Sequence, residues 1–331
     1  MKCPVISQLH LALKWILLAL FLSAFCGVQA QQTWPVRPIR ILVPFPAGGS
    51  TDVVFRSLGQ KLSKSVGQPV IIENRGGAYG AVGASYFIKS APDDHLFLVT
   101  TLTMMSVSQY LYTELGYDPD TDLKPVGTVA DTPNVIVASP VLQVHTLKQL
   151  AEYGKTHPNT LSYSSGGVGS TGHLLIVLLE SNLGIKALHV PYKGNAPAMQ
   201  ALIAGDVQFS NDNVALMLPQ IRAGKVQALA VTSPKRLPQL PEMPTVSEAG
   251  FPKMTFVAWW GLVAQLKTSQ DVITRMNREL QAILQQPDFI GYLREYVIGV
   301  LPGTPDDMSA SIRKERVRWK KVVEMSGVKA Q

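Results

Sequence analysis

Cysteine is nearly absent from this chain of 331 residues: only Cys3 and Cys26 occur, both near the start. The rest of the chain therefore has no thiol for a disulfide or a thiolate metal site, and core packing must hold it together. Histidine does not supply a metal site either. His95, His145, His157, His173 and His189 show no i, i+4 pairing, so neither a metal nor a cofactor is expected. After the first thirty positions no apolar run approaches the ~20 residues that a spanning helix needs.

Enzyme signatures are missing too. The lysine-bearing phosphate loop G-x-x-x-x-G-K-[ST] does not occur. Gly167-Val168-Gly169-Ser170-Thr171-Gly172 matches the dinucleotide pattern G-x-G-x-x-G. However, the position about twenty residues on, where that fold needs an acid for the ribose, holds Tyr192. A serine hydrolase would want G-x-S-x-G, and Ser170 stands out of that register. His173, three residues later, leaves a Ser–His dyad conceivable, with no acidic residue to orient it.

What is present begins with an export signal. Lys2 and Lys14 precede or flank the apolar run at 15–26, and Val28-Gln29-Ala30 ends in small residues. This pattern predicts a secretory leader over 1–30, cut after Ala30. A lipid anchor on Cys26 is the alternative, although Phe25 is bulky for that signal. The net charge of +7 is concentrated partly in "RKERVRWKK" at 313–321. We read that run as the solvated face of a terminal helix with Val317 turned inward; a membrane-surface or partner-docking patch is the alternative. An exported chain is not placed to meet nucleic acid.

Strand-like and helical patterns alternate through the rest. Ile39–Val43 reads as a strand, and Val54, Leu58, Leu62 and Val66 line one face of a helix near 51–66. Strands follow at 70–72 and 96–101. The pattern restarts near 135, with strands in "LSYSSG", "ALHVPYKG", "VQFSNDN" and "VQALAVTS" separated by helices, and Gly205 and Gly224 placed as left-handed helix caps. The proline-rich stretch 236–252 reads as an irregular connection, "FVAWWGLVA" as a strand, and 270–285, 287–296 and 305–325 as helices. These elements predict an α/β fold of two lobes, each a mostly parallel sheet flanked by helices. Residues 31–131 with 257–331 would form lobe 1, and 132–256 an inserted lobe 2.

Four small-residue turns each open a helix after a strand: Ala47–Thr51, Gly76–Gly80, Gly166–Thr171 and Lys193–Pro197. The first turn of a helix carries free N–H groups and a partial positive charge, so it holds anions without a charged side chain. Such turns are also ordinary loop chemistry when taken singly. Four of them, two in each lobe, would line a cleft for a small anion at the carboxyl ends of the strands.

The stretches "PFPAGGSTD", "IIENRGGAYGAVGA", "SYSSGGVGSTGHL", "HVPYKGNAPAMQALIAGDVQF" and "ALAVTSPKRLPQLPEMPTVSEAGFP" occur in order over residues 35–262. They resemble the Bug family, the periplasmic solute-binding receptors of tripartite tricarboxylate transporters. The resemblance implies a catalytically inert, monomeric Venus-flytrap receptor in the periplasm. It would hold a small organic acid, amino acid or related ligand and deliver it to the membrane subunits of a transporter.

Matching positions imply ligand contacts from Phe45, Ala47, Gly48, Gly49, Ser50, Thr51 and Asp52 in the first loop. Ala78, Tyr79 and Gly80 match the second loop, and Thr100 and Thr101 the end of the third strand. In the other lobe the matches are Ser165, Gly166, Gly169, Ser170, Thr171 and His173, then Tyr192, Lys193, Gly194, Asn195 and Ala196, then Asp212. Asp212 could pair with a ligand ammonium or orient water, and Asp52 could complement its helix start. The chain departs from the family's "NRPGAGG" with "NRGGAYG", which places a phenol at Tyr79 and bears on pocket size. It also has "AQLKTSQ" at 264–270 where "APAGTP" is usual, and an extra tryptophan among Trp259 and Trp260, read as packing. A sensor receptor without a transport role, or an exported hydrolase using Ser170 and His173, are the rival functions.

Overall fold

The computed structural model describes residues 34–326. The leader, its cut after Ala30 and the anchor alternative at Cys26 lie outside the described residues. Residues from Arg37 on pack as one unit.

Among the described residues ten strands run in the order β2-β1-β3-β9-β4-β7-β5-β6, with β8 and β10 also paired to β4. They are β1 (Ile39–Val43), β2 (Val70–Asn74), β3 (Leu96–Thr101), β4 (Leu123–Ala138), β5 (Ser162–Ser165), β6 (Leu188–Pro191), β7 (Phe209–Asn213), β8 (Gln227–Val231), β9 (Val257–Gln265) and β10 (Gly299–Val300). β1 is parallel to β2 and β3, and β5 is parallel to β6 and β7. β9 and β4 join these groups in antiparallel register. The arrangement matches the expected α/β architecture. β1 and β3 are almost wholly buried, which is why they read as unbroken apolar runs rather than alternating ones.

β4 is the common beam. Leu123 to Pro133 pair with β9, and Asn134 to Ala138 pair with β7. Thr232 ties the crossing together from outside the strand. The Asn134 N–H donates to Thr232 Oγ1 at 2.8 Å, and Thr232 Oγ1 donates to the Phe256 carbonyl at 2.7 Å. The Thr232 N–H also donates to the Asn134 carbonyl at 2.8 Å. Three chain segments thus meet on one fully buried residue.

The helix Pro305–Ser326 closes the fold and corrects one expectation. Met308, Ile312, Trp319, Val322 and Val323 are its buried residues, whereas Val317 is 77 % exposed. The spacing of the buried set places Val317 about half a turn away, among Arg313, Lys314, Lys320 and Lys321. Trp259 and Trp260 are both buried, as packing residues should be. Gly205 caps its helix at φ 84°, but the helix before Gly224 ends with Ala223 as its cap, and Gly224 follows at φ 65°. The sequence reading missed the helices Leu102–Ser106 and Leu147–Thr156. The first is capped by Thr101, whose side chain accepts from the Met104 N–H. No described helix is long and apolar enough to cross a membrane.

Thr232→Val keeps the volume and removes the hydroxyl, leaving the Asn134 N–H and the Phe256 carbonyl short of a partner. A loss of about 2–3 kcal/mol is expected, read as a lower urea midpoint with an unchanged m-value.

Candidate functional site

The first loop is shaped by one carboxylate. After β1, Pro44 and Pro46 turn the chain, and Gly48 adopts φ 82°. Asp52 is 3 % exposed and turns back into this loop. Its Oδ2 accepts from the Gly48 N–H at 2.9 Å and from Arg56 Nε at 2.8 Å, and its Oδ1 accepts from Asn74 Nδ2 at 2.9 Å. Asn74 Nδ2 also donates to the Phe45 carbonyl at 3.1 Å. Burial would raise the Asp52 pKa, but the bonds from Arg56, Gly48 and Asn74 outweigh it and hold the carboxyl below its usual range. Asp52 therefore builds the loop, and these loop contacts account for it better than a ligand contact does.

The helix starts differ in how they are capped. Gly49 precedes the helix Ser50–Val66, Gly80 precedes Ala81–Lys89 and Gly194 precedes Asn195–Ala204, and none of the three has a side-chain cap. The helix Thr171–Leu183 is capped: the His173 N–H donates to Ser170 Oγ at 3.2 Å. Ala47, Gly48 and Gly49 are exposed, Ser50 is half-buried and Thr51 is buried. At Gly80 the Ala81 and Val82 N–H groups already donate to the Ala78 and Gly77 carbonyls; the first turns behind Gly49 and Gly194, reachable from solvent and without a side-chain cap, suit a bound anion.

The two groups of strand ends meet through specific atoms. Thr103 Oγ1 lies 2.9 Å from Thr171 Oγ1, and the Tyr79 hydroxyl lies 3.5 Å from the same oxygen. The Tyr112 hydroxyl donates to the Val168 carbonyl at 3.3 Å. A Cβ added to Gly169, at φ 77°, would meet Leu111. Phe45 and Tyr79 pack edge to face at 5.7 Å. Ala78 in the same turn is exposed and Gly80 is buried. Thr103, Leu111 and Tyr112 escaped the sequence reading. Thr101 as a helix cap was the signal that could have drawn attention to the segment after it.

Several expected contact residues are engaged elsewhere. Ser165 Oγ donates to the Gly167 carbonyl at 3.0 Å and lies 2.7 Å from His189 Nε2. His173 Nδ1 accepts from the Gly169 N–H at 3.0 Å, and its ring stacks on His189 at 3.9 Å. Burial, then His189, pushes His173 down to about 3; burial pushes His189 down to about 4. Both rings are neutral, and His173 acts as a hydrogen-bond acceptor that folds the turn. The Ser170–His173 dyad is thereby overturned, since Ser170 Oγ faces the backbone N–H of His173 and the imidazole is occupied by Gly169. Thr100 is fully buried and Thr101 is a helix cap. Lys193 and Ala196 are exposed, and Tyr192 is half-buried. The Tyr192 N–H donates to the Ser165 carbonyl at 3.0 Å, and the Gly194 N–H to the Gly166 carbonyl at 3.2 Å.

Asp212 is 4 % exposed at the end of β7. Its Oδ1 accepts from Asn195 Nδ2 at 2.6 Å and from the Asn213 N–H at 2.7 Å. Asn195 is itself pressed against Gly166, where a Cβ could not fit beside its Oδ1. Burial pushes Asp212 up to about 7 against the pull of these two donors. No group of three His, Cys, Asp or Glu that could hold a metal occurs among the described residues.

Residues 54–328 match the profile of the Tripartite tricarboxylate transporter family receptor. The chain belongs to that receptor family. It is 35 % identical over 310 residues to Protein BugT of Bordetella pertussis, covering 92 % of this chain and 95 % of that one. An R. palustris protein solved with adipate superposes with a TM-score of 0.84 at 35 % identity, over 89 % of this chain and 99 % of its own. MatC from Rhodopseudomonas palustris, solved with bound malate, gives 0.81 at 32 %, over 88 % and 100 %. The family is one of periplasmic solute receptors rather than enzymes.

The raised pKa of Asp212 makes the receptor's stability depend on pH. The folded carboxyl keeps its proton up to about 7, whereas the unfolded one releases it near 4. Stability therefore falls as pH rises through that window. Asp212→Asn removes this loss: the variant should gain on wild type by up to about 4 kcal/mol between about pH 4 and pH 8. Urea unfolding of the ligand-free proteins at the two pH values checks it, and an unchanged difference refutes it.

Proposed function

We propose that this receptor is exported, released from its leader after Ala30, and works as a monomer in the periplasm. It captures a small carboxylate between two lobes and passes it to the membrane subunits of a tripartite tricarboxylate-type transporter. Residues 31–131 with 257–331 form one lobe and 132–256 the other, and β4 with Thr232 is where they articulate. The observation that carries this reading is the pair of solvent-reachable helix starts without side-chain caps at Gly49 and Gly194. Carboxylates bound to two relatives of this fold support it: adipate in one, malate in the other.

The chemistry follows from those ends. A carboxylate oxygen accepts N–H groups that no side chain engages, and the helix dipole favours its charge. Backbone donors are fixed in direction, so binding needs little reorganisation and no counter-charge. A ligand that touches both lobes favours the closed arrangement only by its differential affinity for it. Thr171 is the natural contact on the second lobe, because Tyr79 and Thr103 already reach it from the first.

Gly49→Asp tests the first-lobe half. Gly49 has φ −77° and ψ 168°, and a Cβ there would meet the Pro46 carbonyl oxygen at an ordinary contact distance of 3.7 Å. Asp at that position is a favourable helix cap, so the variant should fold at least as well as wild type. Its carboxylate would occupy the donors meant for the ligand. Affinity for the best carboxylate found in a thermal-shift screen should drop at least about tenfold, or ~1.4 kcal/mol by calorimetry. Unchanged affinity in the folded variant would remove this loop from the site. Ser170→Ala should instead cost about 1 kcal/mol of stability through its lost cap, with a small effect on binding.

A further inference from the structure

Tyr79 occupies a backbone position suited to glycine. Ala78 has φ 43° and Tyr79 has φ 47°, consecutive left-handed residues that both carry a Cβ. That region disfavours L side chains. Glycines stand at 76, 77 and 80 in the same turn, so a large aromatic at 79 is an expensive exception. Strain of this kind persists where the surroundings make use of it.

The use is visible in what the side chain meets. The half-buried ring lies edge-on to Phe45 at 5.7 Å, and the hydroxyl stops 3.5 Å from Thr171 Oγ1 across the strand ends. The side chain thus fills the space between the first loop and the start of the facing helix. A separation of 3.5 Å is long for a hydroxyl pair, and Thr171 Oγ1 already has Thr103 at 2.9 Å. The phenol therefore retains donor capacity. Burial raises its pKa and outweighs the hydrogen bonds from the Thr171 side chain and backbone that pull it down, so the phenol stays protonated at neutral pH.

We infer that the Tyr79 side chain gauges ligand length: wedged between Phe45 and Thr171, it admits a short dicarboxylate such as succinate, excludes a longer one such as adipate, and donates its hydroxyl to a ligand oxygen. The inference rests on the carboxylate-receptor function proposed for this cleft. It differs from a purely structural role for Tyr79, which would leave the order of ligand preference unchanged on substitution.

The test is calorimetric titration of malonate, succinate, glutarate and adipate into the purified receptor, Tyr79→Gly and Tyr79→Phe. Glycine suits the left-handed backbone, so Tyr79→Gly should melt no lower than wild type. Wild type should bind its best short acid at least about tenfold tighter than adipate, a gap of ~1.4 kcal/mol. Tyr79→Gly should shift the optimum toward longer chains and narrow or reverse that gap. Tyr79→Phe should keep the length order, because the ring remains, while weakening the short acids severalfold. Adipate binding as tightly as succinate in wild type overturns the inference, as does a length order unaltered in Tyr79→Gly. Binding of none of the four acids to any of the three proteins overturns the length gauge, and the carboxylate function falls with it only if no carboxylate in the thermal-shift screen raises the melting temperature. Tight binding with no length order removes the gauge alone.

Discussion

A helix whose first N–H groups meet no side chain must find an acceptor elsewhere, and that requirement organises this molecule. Three helices begin behind glycine with no side-chain cap, at Gly49, Gly80 and Gly194. Behind Gly80 the Gly77 and Ala78 carbonyls take the leading donors, whereas behind Gly49 and Gly194 the missing cap leaves them, in the proposed function, for an anion from solution. The capped start at Ser170 carries the contacts that join the two groups of strand ends instead. Open starts for an anion, and a closed start for the joint, divide the work among similar turns.

Acidic residues beside such a site would seem to defeat it, and their placement explains why they do not. Asp52 is turned away into its own loop, where Arg56 neutralises it and the Gly48 N–H sets the turn. Asp212 is held by Asn195 and Asn213, and burial favours its neutral form. One charge is paired and the other is suppressed, so neither repels an incoming anion as a free carboxylate would. The stacked imidazoles of His173 and His189 are likewise neutral. The proposed cleft thus relies on dipoles rather than charged side chains, and Lys193, its expected cation, is exposed to solvent.

The sheet has a matching division. β4 runs unbroken from one group of strands to the other, and Thr232 binds its crossing to two other chain segments. The Thr232 hydroxyl, bonded to Asn134 and to Phe256, ties their two segments to its own at one buried point. The terminal helix lies against β4 and against the helix Thr171–Leu183, so the C-terminus contributes to the packing of both groups.

Local chemistry was legible in the sequence. Apolar runs at 39–43 and 96–101 specified buried strands, glycine with Ser or Thr specified the turns, and five ordered motifs specified the family, because each depends on neighbours a few residues apart. What depended on distant neighbours was not legible. Val317 was read as inward, but the partner surface, not the helix period alone, chose the face. Asp52 looked like a residue for a ligand or a dipole until Gly48, Arg56 and Asn74 closed around it, the last from another strand. Ser170 and His173 looked like a dyad until the imidazole proved to accept from Gly169. Tyr79 was visible only as a bulky residue in a small-residue turn; its reach to Phe45 and Thr171 came from the folding of separate loops onto one another. Sequence alone determined which backbone could bind an anion, since that is a property of a single turn. The tertiary structure decided which side chains surround it, since burial and hydrogen-bond partners are set by segments far apart in the chain.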